Sequence, residues 1–365
     1  MGTTKVGIIG CGNIADQYLK NIPRYPGIDL VSCSDIIESR AKERAAEYKI
    51  PYAKSVSDML SDPNIELVVN LTIPKAHAEI SIEALKNGKH IYCEKPFAIN
   101  KSQGLKILEA SNDSILRTGC APDTFLGGGM QTCRNLIDKG EIGVPIAASA
   151  FMVNHGHEHW HTNPEFYYQI GGGPMFDMGP YYLTGLVNLL GPIKTVSGIT
   201  STSFSERTIS NGPKSGKSIK VEVPTHVIGL LEFKNGATGT IITSFDVWSS
   251  DLPRIEIYGT EGTLSVPDPN KFTGPVRIKR GREEPWKEVP LTHPEGARGI
   301  GVSEMASAIR SGRSSRLDGK LGFHILDVMQ SIHESSTSGH HVAIESDCTQ
   351  PSAVPIGLLE GVFET

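Results

Sequence analysis

Gly10-Cys11-Gly12-Asn13-Ile14-Ala15 follows a short apolar run at 6–9 and opens a stretch with helical spacing, which gives the pattern G-x-G-x-x-A. Each position has a task in such a loop. The first glycine permits a tight turn, the second lets the backbone approach a pyrophosphate, and the small Ala15 keeps helix and sheet close. A pyrophosphate set against Gly10, Gly12, Asn13 and Ile14 meets the free N–H groups and the positive end of the helix dipole. The next apolar run ends in Ser34-Asp35, at about the ~20-residue spacing of a carboxylate that binds ribose hydroxyls. Such a carboxylate repels a 2′-phosphate, so the reading is NAD, with NADP disfavoured. Arg40 is the residue that would reach such a phosphate, and it reads otherwise as part of a solvated helix face.

Two further groups have the types that proton transfer needs. Glu94-Lys95-Pro96 follows an apolar run at 90–93, and the carboxyl ends of strands in an open parallel sheet face the ligand crevice. A lysine there, beside a cationic nicotinamide, has its pKa lowered and suits a substrate hydroxyl, although the tripeptide alone is more often a surface turn. The second group is Gly171-Gly172-Gly173-Pro174-Met175-Phe176-Asp177-Met178-Gly179-Pro180-Tyr181-Tyr182. Proline belongs in the first turn of a helix, so Pro180 places a helix start close to Asp177. Asp177 and Tyr181 then share one face as i and i+4. A carboxylate beside a phenol or lysine supplies what alcohol oxidation requires, one group taking the hydroxyl proton and the other orienting it. The same pair also reads as a helix cap with a core tyrosine.

Residues 155–161 place four of the twelve histidines at alternate positions, which an extended strand would turn to one side. No second ligand set accompanies them, so no metal is assigned. The preferred reading is a polar, aromatic sugar pocket in which Trp160 stacks on a pyranose and His159 and His161 bond hydroxyls. Tyr167 is added to that pocket. Asp123 is a further candidate for a sugar hydroxyl, or an aspartate of a domain-junction turn.

The elements that must position these groups alternate along the first third of the chain. Strands are expected at 6–9, 30–34, 67–71, 90–93 and 116–120, with helices at 14–21, 39–48, 56–61, 77–87 and 102–111. This is the βαβ signature of a doubly wound parallel sheet. Beyond Asp123 the pattern becomes a helix at 130–139 followed by strands at 146–153, 195–203, 229–233, 238–243, 254–258, 262–266 and 276–279. Asn235-Gly236 is the strongest hairpin signal among them. Residues 205–218 read as a loop or hairpin tip, and helices close the chain at 303–311 and 317–336. The expected architecture is α/β: a Rossmann nucleotide-binding domain over 1–122 and an α+β domain with a large, mostly antiparallel open sheet over 123–365.

With 35 basic and 40 acidic residues the net charge is −5, which provides no electrostatic footprint for nucleic acid or an anionic membrane. Six cysteines lie without paired spacing and read as reduced thiols. No apolar run approaches the ~20 residues of a membrane span, and the expected location is the cytoplasm.

Together the glycine loop with Asp35, Thr72-Ile73-Pro74 with His77, Glu94-Lys95-Pro96 and the segment from Gly171 to Tyr181 resemble the Gfo/Idh/MocA oxidoreductase family over nearly the whole chain. The resemblance implies that Lys95, Asp177 and Tyr181 form the catalytic group and that Thr72, Pro74, His77 and Glu94 line the cofactor. It also implies a small-molecule substrate and a homo-oligomer, dimer or tetramer. Many members have histidine where Tyr181 stands, and an arginine-containing motif where this chain reads Ala121-Pro122-Asp123-Thr124-Phe125. A sugar or glycoside ring hydroxyl, such as that at C3, is the expected site of oxidation. An inositol or other cyclitol dehydrogenase, an NAD-retaining lyase or epimerase, and a non-catalytic NAD sensor are the alternatives.

Overall fold

The computed structural model describes residues 2–112 and 115–364. Two compact units divide the chain discontinuously: Met1–Gln131, Thr292–Leu326 and Pro351–Thr365 form one, Thr132–Leu291 and Asp327–Gln350 the other.

The first unit is built on six parallel strands, β1 (Thr4–Ile9), β2 (Ile28–Ser34), β3 (Tyr52–Ala53), β4 (Leu67–Asn70), β5 (His90–Cys93) and β6 (Thr118–Cys120), in the order β3-β2-β1-β4-β5-β6. Helices α1 (Ala15–Asn21), α2 (Glu38–Tyr48), α3 (Val56–Ser61), α4 (Pro74–Lys86) and α5 (Lys101–Asn112) alternate with them. Every residue of β4 is buried, as expected of a parallel sheet covered on both faces. The order reverses between β1 and β4, the switch point at which such sheets bind ligands.

A single boundary at 122/123 does not describe the compact units, because side chains near the end of the sheet are satisfied from far along the chain. Asp123 accepts from the backbone N–H groups of Gly299 (2.7 Å) and Gly301 (3.2 Å) and pairs with Arg298 at 3.1 Å. These bonds receive the start of a helix over Ile300–Ser311. The backbone after that helix then joins the sheet edge, where Cys120 N–H donates to the Leu317 carbonyl (2.9 Å). Glu304 holds this return in place: fully buried, it accepts from Arg313 (2.5 Å), Ser315 (2.6 Å) and Arg316 (3.0 Å).

The second unit carries α6 (Gly128–Asp138) from Thr132 onward, then β7 (Pro145–Val153), α7 (Pro174–Leu190), β8 (Ile193–Ser201), β9 (Glu206–Thr208), β10 (Ser218–Lys220), β11 (His226–Phe233), β12 (Thr238–Ser244), β13 (Ile255–Gly259), β14 (Gly262–Val266), β15 (Val276–Arg280) and β16 (Lys287–Val289). After α8 (Ile300–Ser311) in the first unit, α9 (Gly319–Ser338) brings the chain back to β17 (Val342–Ala343). Nine strands form one sheet, ordered β16-β15-β14-β13-β7-β12-β11-β8-β17, antiparallel except for the parallel pair β7/β12. Residues 205–218 form part of a separate two-stranded ribbon, β9 with β10. The predicted hairpin at Asn235-Gly236 joins β11 to β12.

Strand β11 alternates between buried and more exposed positions, the pattern of a sheet covered on one face. Helix α9 lies tight on the covered face, since a Cβ on Gly198 would meet the Ile332 carbonyl oxygen at 2.1 Å. The other face presents Leu230 and Ile199, which are 52% and 67% exposed. The sequence reading omits β3, β16 and β17, each two or three residues long and too short to show periodicity.

Removing the buried carboxylate takes from the buried Arg316 its carboxylate partner, while Arg313 keeps Glu364, at a cost of ~3–5 kcal/mol. Glu304→Ala is therefore expected to lower the unfolding free energy from urea titration by about that amount, and an unchanged midpoint would discount this brace.

Candidate active site

The first unit assembles its candidate residues at the carboxyl ends of four adjacent strands. Gly10 follows β1, Asp35 follows β2, Thr72 lies just beyond β4, and Glu94-Lys95 follows β5. Gly10 has φ +102°, and a Cβ there would lie 2.6 Å from the carbonyl carbon and oxygen of Leu71. Only glycine fits both the backbone angle and the space. At Gly12 nothing stands within 4 Å of the Cβ position, so a phosphate can come against the backbone. Asp35 Oδ2 accepts from Cys11 N–H and Oδ1 from Ile37 N–H, each at 2.8 Å. The second lone pair of each oxygen, which Arg40 approaches only at 3.4 Å, is the one a ribose hydroxyl would use. A cavity of about 380 Å³ opens here, lined by Cys11, Gly12, Asn13, Arg40 and Arg44 among others. The open backbone, the acceptor at Asp35 and this cavity fit a dinucleotide. Arg40 is not a solvated face alone: its guanidinium lies 3.4 Å from both Asp35 oxygens.

Two candidate residues brace the loops instead of lining them. His77 is 1% exposed, with Nδ1 2.7 Å from the Pro96 carbonyl and Nε2 3.0 Å from that of Thr72. Burial lowers its pKa, and a neutral ring donates to one of those carbonyls only. It therefore donates to one of the two loops after β4 and β5 and packs against the other from behind, which corrects the expectation that its side chain lines the cofactor. Glu94, also buried, accepts from Tyr18 Oη (2.7 Å) and from Lys95 N–H (2.9 Å), so it fixes the backbone that carries Lys95. Pro74 is the first residue of α4, where its missing N–H costs nothing. Asn70 supports Thr72 through a 2.7 Å bond from Thr72 Oγ1.

Asp123 is a correction. It is 0% exposed and spends both oxygens on Arg298, Gly299 and Gly301. It caps α8 and does not present itself to a substrate. Its partners lie more than 170 residues away in sequence, beyond the reach of local pattern reading.

In the second unit α7 begins at Pro174, with Gly173 at φ +88° before it. Pro180 falls inside the helix, which corrects the start expected near Asp177. Pro174 takes the first-turn position, and Asp177 N–H donates to the Gly173 carbonyl (3.0 Å). Asp177 and Tyr181 are thus one turn apart on a single helix. The glycines before it allow close chain approach, since a Cβ on Gly172 would meet the Phe166 carbonyl oxygen at 2.4 Å.

Residues 154–161 form a turn-rich loop and not a strand, so the histidines do not share one face. Their fates differ. His157 is buried, with Nε2 3.1 Å from Asp177 Oδ2. The exposed Trp160 and the Tyr167 ring lie at 5.2 and 4.1 Å from its imidazole. His161 packs 5.4 Å from Tyr167, and its pKa is lowered by burial and then by His157. His159 is exposed. His155 stacks on Trp248, with ring centroids 3.4 Å apart.

A buried ion cluster underlies this loop. Arg207 pairs with Glu158 (2.7 Å) and Asp246 (3.3 Å) and donates to the carbonyls of His155 and Phe245. Tyr168, fully enclosed, donates to Glu158, and burial with that bond pushes its phenol up. Sequence reading missed His157 as the partner of Asp177, and it missed Arg207 altogether. The histidine run carried a signal for the first; nothing local marked the second. Among the described residues no group of three His, Cys, Asp or Glu side chains stands ready for a metal ion. No described helix is long and apolar enough to cross a membrane.

Comparison with known proteins places these features. Residues 4–118 match the model of an oxidoreductase family with an NAD-binding Rossmann fold, and residues 130–265 match the GFO/IDH/MocA C-terminal domain. An inositol 2-dehydrogenase of Salmonella paratyphi B is 30% identical over 171 residues, 45% of this chain and 48% of the relative. The match thus spans about half the length of that curated relative. The 1,5-anhydro-D-fructose reductase of Ensifer adhaerens is 24% identical over 93% of this chain and 98% of its own. A levoglucosan dehydrogenase solved with NADH has the same fold, with a TM-score of 0.80 at 20% identity over 94% of this chain and 100% of its own.

Gly10→Ala forces a methyl group into the Leu71 carbonyl and is expected to remove NADH binding in a fluorescence titration. Unaltered affinity would show that the turn has room that its geometry denies.

Proposed function

Because the chain belongs to the Gfo/Idh/MocA family of NAD-binding oxidoreductases, we propose that it is a dehydrogenase acting on a ring hydroxyl of a sugar or glycoside. Bound NAD supplies the acceptor or donor of hydride. In this reading Gly10, Gly12, Asn13 and Ile14 receive the pyrophosphate, Asp35 binds the adenosine ribose, and Thr72 and Pro74 border the nicotinamide side. The Asp35 carboxylate favours NAD over NADP, although Arg40 tempers its charge. Tyr181 takes part in moving the hydroxyl proton while Asp177, one turn before it on α7, fixes its geometry, and Lys95 is assigned to the same proton transfer. Trp160, Tyr167 and His161 provide a surface for a pyranose ring, aromatic faces against C–H bonds and nitrogen against hydroxyls.

The observation that carries this reading is Asp177 and Tyr181 on one turn of α7 beside an aromatic cluster with imidazoles, a set suited to a polyhydroxylated ring. A cyclitol is the second reading, favoured by the likeness to the Salmonella inositol 2-dehydrogenase. The domain roles follow: cofactor binding for the Rossmann half, and substrate binding and self-association for the second. We assign a homo-oligomer to the exposed sheet face around Leu230 and Ile199, since sheets stack face to face at ~10 Å. Light scattering after size exclusion is expected to give a dimer or tetramer; a monomer would reject that assignment.

Purified protein with NAD and a panel of hexoses, inositols and aryl glucosides is expected to yield a product lighter by two hydrogens in mass spectrometry. Lys95→Ala should abolish that product while NADH binding persists. No oxidised product despite NADH binding would favour the lyase or the sensor, and undiminished rates in Lys95→Ala would remove that lysine from the reaction.

A further inference from the structure

His157 has a geometry that ring recognition does not require. Its Nε2 lies 3.1 Å from Asp177 Oδ2, so beside an ionised carboxylate the neutral ring carries its hydrogen on Nε2 and its lone pair on Nδ1. That Nδ1 is buried and has no hydrogen-bond partner among the described residues. An acceptor withdrawn from water without a replacement bond is destabilising. Nothing in the packing of the loop demands a histidine for this purpose: the neighbouring rings of Trp160, Tyr167 and Phe245 would pack on an apolar side chain as well.

An unpaired Nδ1 is also a place where a proton can be added. The charged and titratable groups around it are few. Asp177 faces it from α7, Tyr167 from the turn before that helix, and His161 from its own loop. Behind it, Glu158 and Asp246 meet the single charge of Arg207, with the Tyr168 phenol on Glu158 and also accepting the His157 backbone N–H.

We propose that His157 is a positioning residue for Asp177, donating from Nε2 to hold the carboxylate ionised and oriented while Nδ1 carries no proton. Protonation turns the contact into an ion pair that ties Asp177 to His157 and weakens its hold on the reacting groups. This deepens the assignment of Asp177 to the catalytic group and rests on it. The sign is set by the charge: the neutral ring supports turnover, so the rate of oxidation falls as pH drops through the His157 ionisation.

Two measurements test this. In ring-¹⁵N-histidine protein without cofactor, the His157 signal, assigned by its loss in His157→Gln, should report the Nε2–H form. Its titration should move to lower pH by about one unit in Asp177→Asn, since an opposite charge has been removed. In kinetics with an oxidised substrate, His157→Gln keeps an N–H for Asp177 but cannot titrate. It should retain kcat within about tenfold, leave KM little changed and lose the acid limb of the kcat profile, whereas His157→Leu should lose about a hundredfold. An unmoved titration in Asp177→Asn, or an acid limb that survives in His157→Gln, overturns the proposal. The spectroscopic arm needs no substrate, so failure to oxidise any sugar leaves it decisive and counts only against the dehydrogenase reading.

Discussion

A methyl group on Gly10 would sit 2.6 Å from the Leu71 carbonyl, and the rest of the cofactor edge is arranged around that tight turn. Because the chain can leave β1 hard against the exit of β4, Cys11 N–H reaches Asp35 at the end of β2. Gly12 is thereby left facing open space. One missing side chain aligns the exits of three strands. The edge is then stiffened from behind by polar side chains that a cofactor would not touch. His77 spans the loops after β4 and β5, Asn70 holds Thr72, and Glu94 joins Tyr18 of α1 to the backbone of Lys95. Loops would otherwise be the mobile part of such a sheet, and each brace reduces the ordering left for ligand binding to supply.

The second unit solves a different problem. An aromatic, polar loop must be held in shape without a strand to define it. Arg207 does this by collecting two carboxylates and two backbone carbonyls in a buried cluster. Breaking a buried charge cluster is costly even where forming it gains little, so the cluster specifies the loop geometry more than it adds stability. The loop in turn sets His157 against Asp177, whose own place is fixed by a helix that starts at Pro174.

Elements with local signatures were legible in the sequence. The G-x-G-x-x-A turn, the alternating strands and helices of the first unit and the Asn235-Gly236 hairpin each follow from neighbours in the chain. Asp177 and Tyr181 were legible as a pair because helical spacing alone sets them together. What escaped depended on distance. Asp123 reads as a ligand or a turn residue until Gly299 and Gly301 arrive to take its oxygens, and one domain boundary fits the sequence until residues 292–326 return to the first unit. The histidines misled through period: alternation suggests a strand, but β7 ends at Val153, and the following turn stacks His155 on Trp248, sets His157 and His161 against Tyr167 and leaves His159 exposed. Pro180 misled because a helix with its interior mostly enclosed tolerates a proline when Pro174 already marks its start.

The central claim is that this chain moves hydride between a ring carbinol and NAD. Its most direct test is to supply NAD with hexoses, glycosides and inositols carrying deuterium on every ring carbon, and to weigh the NADH that forms. The account predicts NADH that is one deuterium heavier, with a ketone on the sugar or cyclitol. NADH without deuterium, or deuterium retained in a rearranged sugar with no net NADH, would contradict it.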